Sequence, residues 1–397
     1  MLLNNLTKKF KHWLPLAKSK IEKGASQLEN SINNYDPKEI IPSKLIERLN
    51  TKLNSLPVYE SYYDTLTINV HDYIHQWIIN KEQNRKNCLV IKGNCVDNLY
   101  NILTSIFSEK SSLSKETIEL DYQIFSLENL KQNRRDRLNY LQEKILEIQQ
   151  QSDKKIILIP DLSYYFSRTI EGLEVLEKLL KLLDEDENKF WIIGCNHWLW
   201  LFLVKIYHWD AYIENARDLP LLSQENLQDI LLPVLDLVEF DWNDLRRFLV
   251  ELPNQNEDDY KIISQLQAKY FENLASLSQG CLGTASQLCF YSLRYVKNEE
   301  TELSNLKINN PQLPDFPSIT QSDRYLLFCI GLHGHLNKSD LANILGDDQI
   351  YITSQIECLV NLNLIHFLDH QNIAINPLFY SKLTKDLKDN HFLVESD

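Results

Sequence analysis

The sequence predicts an α/β protein: a P-loop-like, mostly parallel sheet core, then a helical lid, then a C-terminal winged-helix domain. Three observations predict it. Between Tyr59 and Ala216 short apolar runs alternate with stretches of helical periodicity, the pattern of βα units. Within that region "LVIKGNCVDNLYNILTSIF" (Leu89–Phe107) has the rhythm of a strand, a phosphate loop and a helix. The last segment, from Thr320, reads as three helices followed by two short strands joined by a tight polar turn, which is the winged-helix plan.

Taken in order, residues 1–57 form a unit of their own. Residues 1–24 hold six lysines and one acid, Glu22, with Leu3, Leu6, Phe10, Trp13 and Leu14 at helical spacing. Such a basic amphipathic helix, with Lys8, Lys9 and Lys11 beside the Trp13 anchor, suits an anionic membrane surface or a partner protein. A polar linker with Pro37, Pro42 and Pro57 follows. Residues 58–216 form the α/β unit, with strands at Cys88–Ile91, Ile118–Phe125, Lys155–Leu162 and Lys189–Asn196 and a long helix from Leu127 to Gln151. Residues 217–305 read as a helical lid; the pattern is helical from Ser223 to Lys297, with Ser223 and Asn226 half-matching a capping box. Residues 306–318, marked by Pro311, Pro314 and Pro317, read as a linker, and 319–397 as the winged helix.

Composition narrows the function. Nine glycines in 397 residues are few for a Gly-rich catalytic loop. A net charge of -14 opposes broad binding to nucleic acid, whose phosphates need clustered Lys and Arg. The seven cysteines form no CxxC pair, an odd set of thiols suited to a reducing compartment. The longest apolar run, Trp198–Val204, is far shorter than the ~20 residues of a spanning helix. With no secretory leader pattern at the start, the expected location is the cytoplasm, peripheral to the inner membrane surface if the N-terminal helix meets lipid.

A working phosphate loop reads G-x-x-x-x-G-K-[ST], because backbone N–H groups and a lysine hold phosphates and a hydroxyl holds Mg²⁺. Counting from Gly93, those last three positions hold Asn98, Leu99 and Tyr100. The second strand, "KIILIPDL", supplies Asp161 alone, with no glutamate behind it to act as a base. Asp161 suits a metal or a helix cap equally. Lys92 reads as a solvated strand-end residue. His71 and His75 lack a third ligand, and His333 and His335, flanking Gly334, read as exposed polar turn residues. No catalytic residue and no metal site is expected.

The order of these segments carries a resemblance. "IPDLSYYFSRTIEGLEVLEKLL", "FWIIGCNHWLWLFL" and "LSQGCLGTASQL", following the degenerate loop and preceding a winged helix, resemble a divergent branch of the AAA+/STAND P-loop ATPases over residues 60–392. The resemblance implies ATP or ADP as ligand, held by Gly93, Asn94, Asn98, Asp161 and, at the sensor-1 position, Asn196. Thr284, Ala285 and Ser286 stand where the family places its sensor-2 arginine. Arg168 matches either an intermolecular finger in a homo-oligomer or a structural ion-pair residue.

The winged helix reads as a protein-binding element. From Ser339 to Ser381 there is no Lys or Arg, against five acids, Asp340, Asp347, Asp348, Glu357 and Asp369. A DNA-reading surface needs cations. The expected function is therefore a non-catalytic P-loop-derived scaffold or regulator; the alternatives are a nucleotide switch that binds ATP or ADP without efficient hydrolysis, and, least favoured, a DNA-binding regulator.

Overall fold

A computed structural model describes residues 43–55, 60–79, 87–107, 121–125, 134–248, 259–297, 304–369 and 371–393. The N-terminal segment with Lys8, Lys9, Lys11 and Trp13 lies outside the described residues.

Helices α1 (Ser43–Ser55) and α2 (Glu60–Ile79) lead into β1 (Cys88–Gly93) and α3 (Leu99–Ile106). Then come β2 (Tyr122–Ile124), α4 (Arg134–Gln149), β3 (Lys155–Ile159), α5 (Ile170–Glu185) and β4 (Lys189–Asn196). Next are α6 (His197–Tyr207), the short α7 (Trp209–Tyr212) and β5 (Asn215–Asp218). The five strands form one parallel sheet in the order β2-β3-β4-β1-β5. Its centre is buried and mainly apolar, as a sheet reached by crossover helices must be: every residue of β4, and all of β1 except Lys92, is buried, and the polar members of β4 are Lys189 and Asn196 at its two ends. Register brings the C-terminal ends together, Gly93 beside Asn196 and Lys92 beside Asp218, so the loops that carry chemistry share one edge.

The lid is α8 (Gln224–Leu235), α9 (Asp259–Ser278) and α10 (Leu282–Ser292). Ser223 and Asn226 complete a reciprocal capping box, asparagine standing in for the usual glutamate. The helical reading to Lys297 fails: β6 (Leu293–Lys297) and β7 (Ser304–Ile308) pair as an antiparallel hairpin, where a linker was expected. Leu293 is already extended (φ -73°, ψ 145°), and "LRYVK" alternates apolar and polar residues with β-favouring Tyr and Val.

The C-terminal unit is α11 (Gln321–His333), β8 (His335–Asn337), α12 (Lys338–Leu345), α13 (Gln349–Asn361), β9 (Ile365–Phe367), β10 (Asn372–Ile375) and α14 (Tyr380–Asp389). Its antiparallel strands run β8-β10-β9, the pairing of a winged helix. Thr320 and Asp323 cap α11 reciprocally, Asn337 caps α12, and Gly346 ends α12 in the left-handed conformation (φ 71°). α11 packs against α6 at Gly331, where a Cβ would lie 1.9 Å from the Trp198 ring. Trp191, Trp198, Trp200 and Trp209 are all buried core residues.

His333 and His335 are not exposed turn residues. His333 is fully buried, stacked on Phe166 at 4.7 Å, and its Nε2 accepts the Arg168 backbone N–H. His335 is buried beside Arg137 Nη1 at 2.7 Å. Burial and the adjacent Arg134 hold both imidazoles neutral, His335 with a pKa pushed down to about 2.

Candidate functional site

The site lies where the sheet edge, the lid and the winged helix meet. β1 ends at Gly93, whose lack of a Cβ lets the Leu99 side chain rest on it; a Cβ would approach Leu99 Cδ2 to 2.8 Å. Leu99 is buried and opens α3, capped by Asn98 Oδ1, which accepts the Asn101 N–H at 3.2 Å. The residue at the phosphate-lysine position is thus a core side chain.

Inside the loop sits a carboxylate that belongs to the chain itself. Asp97 Oδ2 accepts the Asn94 backbone N–H at 2.9 Å and the Asn94 side-chain amide at 3.0 Å. Asp97 Oδ1 lies 3.2 Å from Cys281 Sγ, and the Gly283 N–H at the start of α10 also donates to this group. Burial raises the Asp97 pKa, and the donors from Asn94, Cys281 and Gly283 oppose that rise. The lid is pressed onto the loop: a Cβ on Gly283 would lie 2.3 Å from the Val96 carbonyl oxygen. From the winged helix, the Tyr380 hydroxyl donates to Asn94 Oδ1 at 2.9 Å, and its ring stacks on Trp198 at 5.9 Å. Three units converge on one loop.

Asp161 follows β3 and accepts from Ser163 N (2.9 Å) and Ser163 Oγ (2.6 Å). Burial pushes its pKa up to about 6, against the Ser163 bonds and the charge of Arg134. Asn196 caps α6 by accepting the Leu199 N–H at 2.8 Å and donates to the Leu332 carbonyl of the winged helix at 3.0 Å. Arg168 bonds the Tyr325 hydroxyl at 3.0 Å and lies over that ring, so among the described residues it meets the winged helix rather than an acid. Lys92 is half-buried and pairs with Asp218 at 3.1 Å.

A cavity of about 1080 Å³ opens between the loop, Asn50 and Leu53 of α1, Pro220–Leu222 after β5, Gln287 of α10 and Tyr380. Gly93, Asn94, Asn98 and Asp161 line it together; Asn196 and Arg168 do not. Among the described residues no group of three or more His, Cys, Asp or Glu is placed to hold a metal.

Sequence reasoning missed Asp97, Cys281, Gly283, Tyr380 and Arg134. The acid inside "GNCVDN" is the one local signal; its partner Cys281 lies 184 residues away. Arg134 is buried and donates to the carbonyls of Ser163, Phe166 (2.8 Å), His333 (3.3 Å) and His335, joining the turn after β3 to the winged helix.

The parallel sheet in the order β2-β3-β4-β1-β5, followed by a helical lid, agrees with the P-loop-like α/β architecture expected from the sequence. No family model matches the chain, and no curated relative matches it. Solved structures similar to it include a RuvB mutant from Thermotoga maritima (10% identity, 86% of this chain and 98% of that one, TM-score 0.27). Others are Aeropyrum pernix ORC1 in complex with DNA (9%, 85% and 95%, TM-score 0.32) and a Walker-type ATPase of Pyrococcus abyssi (12%, 83% and 97%, TM-score 0.31). At these identities and scores they add nothing on activity. No described helix is long and apolar enough to cross a membrane.

Proposed function

We propose that the chain is a non-catalytic, P-loop ATPase-derived scaffold or regulator that works through protein–protein contacts made by the winged helix or lid. One observation carries this reading: the Asp97 carboxylate takes up donors inside the loop where a phosphate-binding protein keeps them free for its ligand. An ionised side chain there repels a phosphoryl group, and Leu99 offers no charge to offset the repulsion. Asp161 Oδ1 already accepts from Ser163 N and Ser163 Oγ, bonds that a metal would have to share. The tie from Tyr380 to Asn94 supports a scaffold that holds lid, loop and winged helix as one surface.

The test is ATP turnover by the full chain against Asp161→Ala, with melting curves in ATP or ADP and Mg²⁺. Equal, background turnover and an unmoved Tm are expected. Turnover well above that of Asp161→Ala overturns the reading. The roomy cavity favours the second reading, a switch that binds ATP or ADP without efficient hydrolysis; a Tm that rises with nucleotide concentration selects it.

A further inference from the structure

Among the described residues, one face of α11 and α13 carries exposed apolar side chains. Ile350 is 82% exposed, Tyr325 43% and Tyr351 36%. Tyr351 and Tyr325 belong to one surface: the Tyr351 hydroxyl lies 3.2 Å from Ser322 Oγ, Gln355 donates to that same oxygen at 2.7 Å, and Ser322 and Tyr325 stand one turn apart on α11; Ile350 precedes Tyr351 in the first turn of α13. The rim is acidic. Asp347, Asp348 and Glu357 have no ion-pair partner among the described residues, and Arg168, seated over Tyr325, is the cation at the far edge.

An occupant of this face must bring apolar anchors and positive charge. Leu3, Leu6, Phe10, Trp13 and Leu14 supply the first in one stripe, and Lys8, Lys9 and Lys11 the second. Eighteen residues separate Gly24 from Ser43, enough chain to reach roughly 60 Å when extended. Covalent attachment raises the local concentration, so even a modest contact is populated. We propose that residues 3–14 dock in cis on the α11–α13 face, the apolar stripe against Ile350, Tyr351 and Tyr325 and the lysines against Asp347, Asp348 and Glu357. Docked there, the segment covers the surface offered to protein partners above. The proposal stands whether or not the cavity binds nucleotide.

The experiment is zero-length carbodiimide cross-linking of the full chain, mapped by mass spectrometry on the monomer, with hydrogen exchange over residues 1–24. Cross-links from Lys8, Lys9 or Lys11 to Asp347, Asp348 or Glu357 are expected, together with slowed exchange of the segment. Ile350→Asp is expected to lower the cross-link yield about tenfold, equivalent to about 1.4 kcal/mol. Glu357→Lys, at an exposed position, is expected to speed exchange in the segment and serves where Ile350→Asp fails to fold. Absence of these cross-links from the monomer, their confinement to a dimer, or an unchanged yield in Ile350→Asp overturns the proposal. So does slowed exchange that appears only with anionic phosphatidylserine vesicles, which assigns the segment to membrane.

Discussion

Arg134→Met removes the group that holds the turn after β3 to the winged helix, and its cost can be worked from the structure. The guanidinium is 4% exposed and meets carbonyls of Ser163, Tyr164 and Phe166 on one side and His333 and His335 on the other. Among the described residues no carboxylate lies within ion-pair distance, and burial lowers its pKa from 12.5 to about 10. That depression corresponds to about 3 kcal/mol already spent on holding the charge, which methionine recovers. Against it stand charge-assisted hydrogen bonds of about 1.5–3 kcal/mol each. Counting the three shortest, to Ser163, Phe166 and His335, the loss is roughly 5–9 kcal/mol. The net, about 4 kcal/mol, sits in the range for breaking a buried charged site. With an unfolding entropy of about 0.8 kcal/mol/K for a chain of 397 residues, it should lower Tm by roughly 5 °C. The first structural loss falls at the joint around Gly334, so limited proteolysis there should rise before the sheet core melts. Arg134→Lys, which keeps the charge but not the planar fork, should fall between the two. A Met variant melting within about 2 °C of the parent, with no new cleavage near Gly334, refutes the assignment of Arg134 as the joint.

Asp161→Asn should stabilise the protein at neutral pH. The folded pKa of about 6 lies above the ordinary 3.8, so the folded state favours the protonated acid, a contribution present below pH 4 and lost as pH rises through 6. Asparagine keeps an acceptor for Ser163 without the charge. The gain should approach about 3 kcal/mol at pH 8 and vanish near pH 4 in urea titrations; a variant less stable than the parent at pH 8 refutes the burial account. His333 and His335 act in the other direction: with lowered pKa values their share of stability is lost as pH falls below 6.5. Asp161→Asn should therefore lose stability on acidification more steeply than the parent. Gly331→Ala places a Cβ on the Trp198 ring and should cost about 1–3 kcal/mol. A red-shifted tryptophan emission should mark the partial undocking of α11, and an unshifted spectrum with an unchanged Tm argues against a close α6–α11 contact.

What the sequence made legible follows the range of the forces involved. β1, β3 and β4 could be read because a strand buried on both faces needs a continuous apolar run, and "CLVI", "IILI" and "FWII" supply one. The capping box at Ser223 and Asn226 was half-readable because it acts within three residues. β5, "NARD", is a short edge strand with two exposed residues and carries no such pattern; its place is fixed by pairing with β1. The site divides in the same way. Gly93, Asn94, Asn98 and Asp161 share the cavity because they follow strands that end on the same edge of the sheet, whereas Asn196, the register partner of Gly93, is turned away by Leu199 and Leu332. His333 and His335 misled because polarity next to a glycine suggests solvent. The structure instead uses each neutral ring as a fitted surface, one on Phe166 and one on Tyr164, in contact with arginine N–H groups. Asp97 is the sharpest case. Its charge was visible in the loop, but its role depends on donors from Cys281 and Gly283, set by lid packing that no local pattern encodes. A loop that lacks a phosphate lysine can still bind phosphate through its amides; one that fills its own donors with a carboxylate has to displace that carboxylate first.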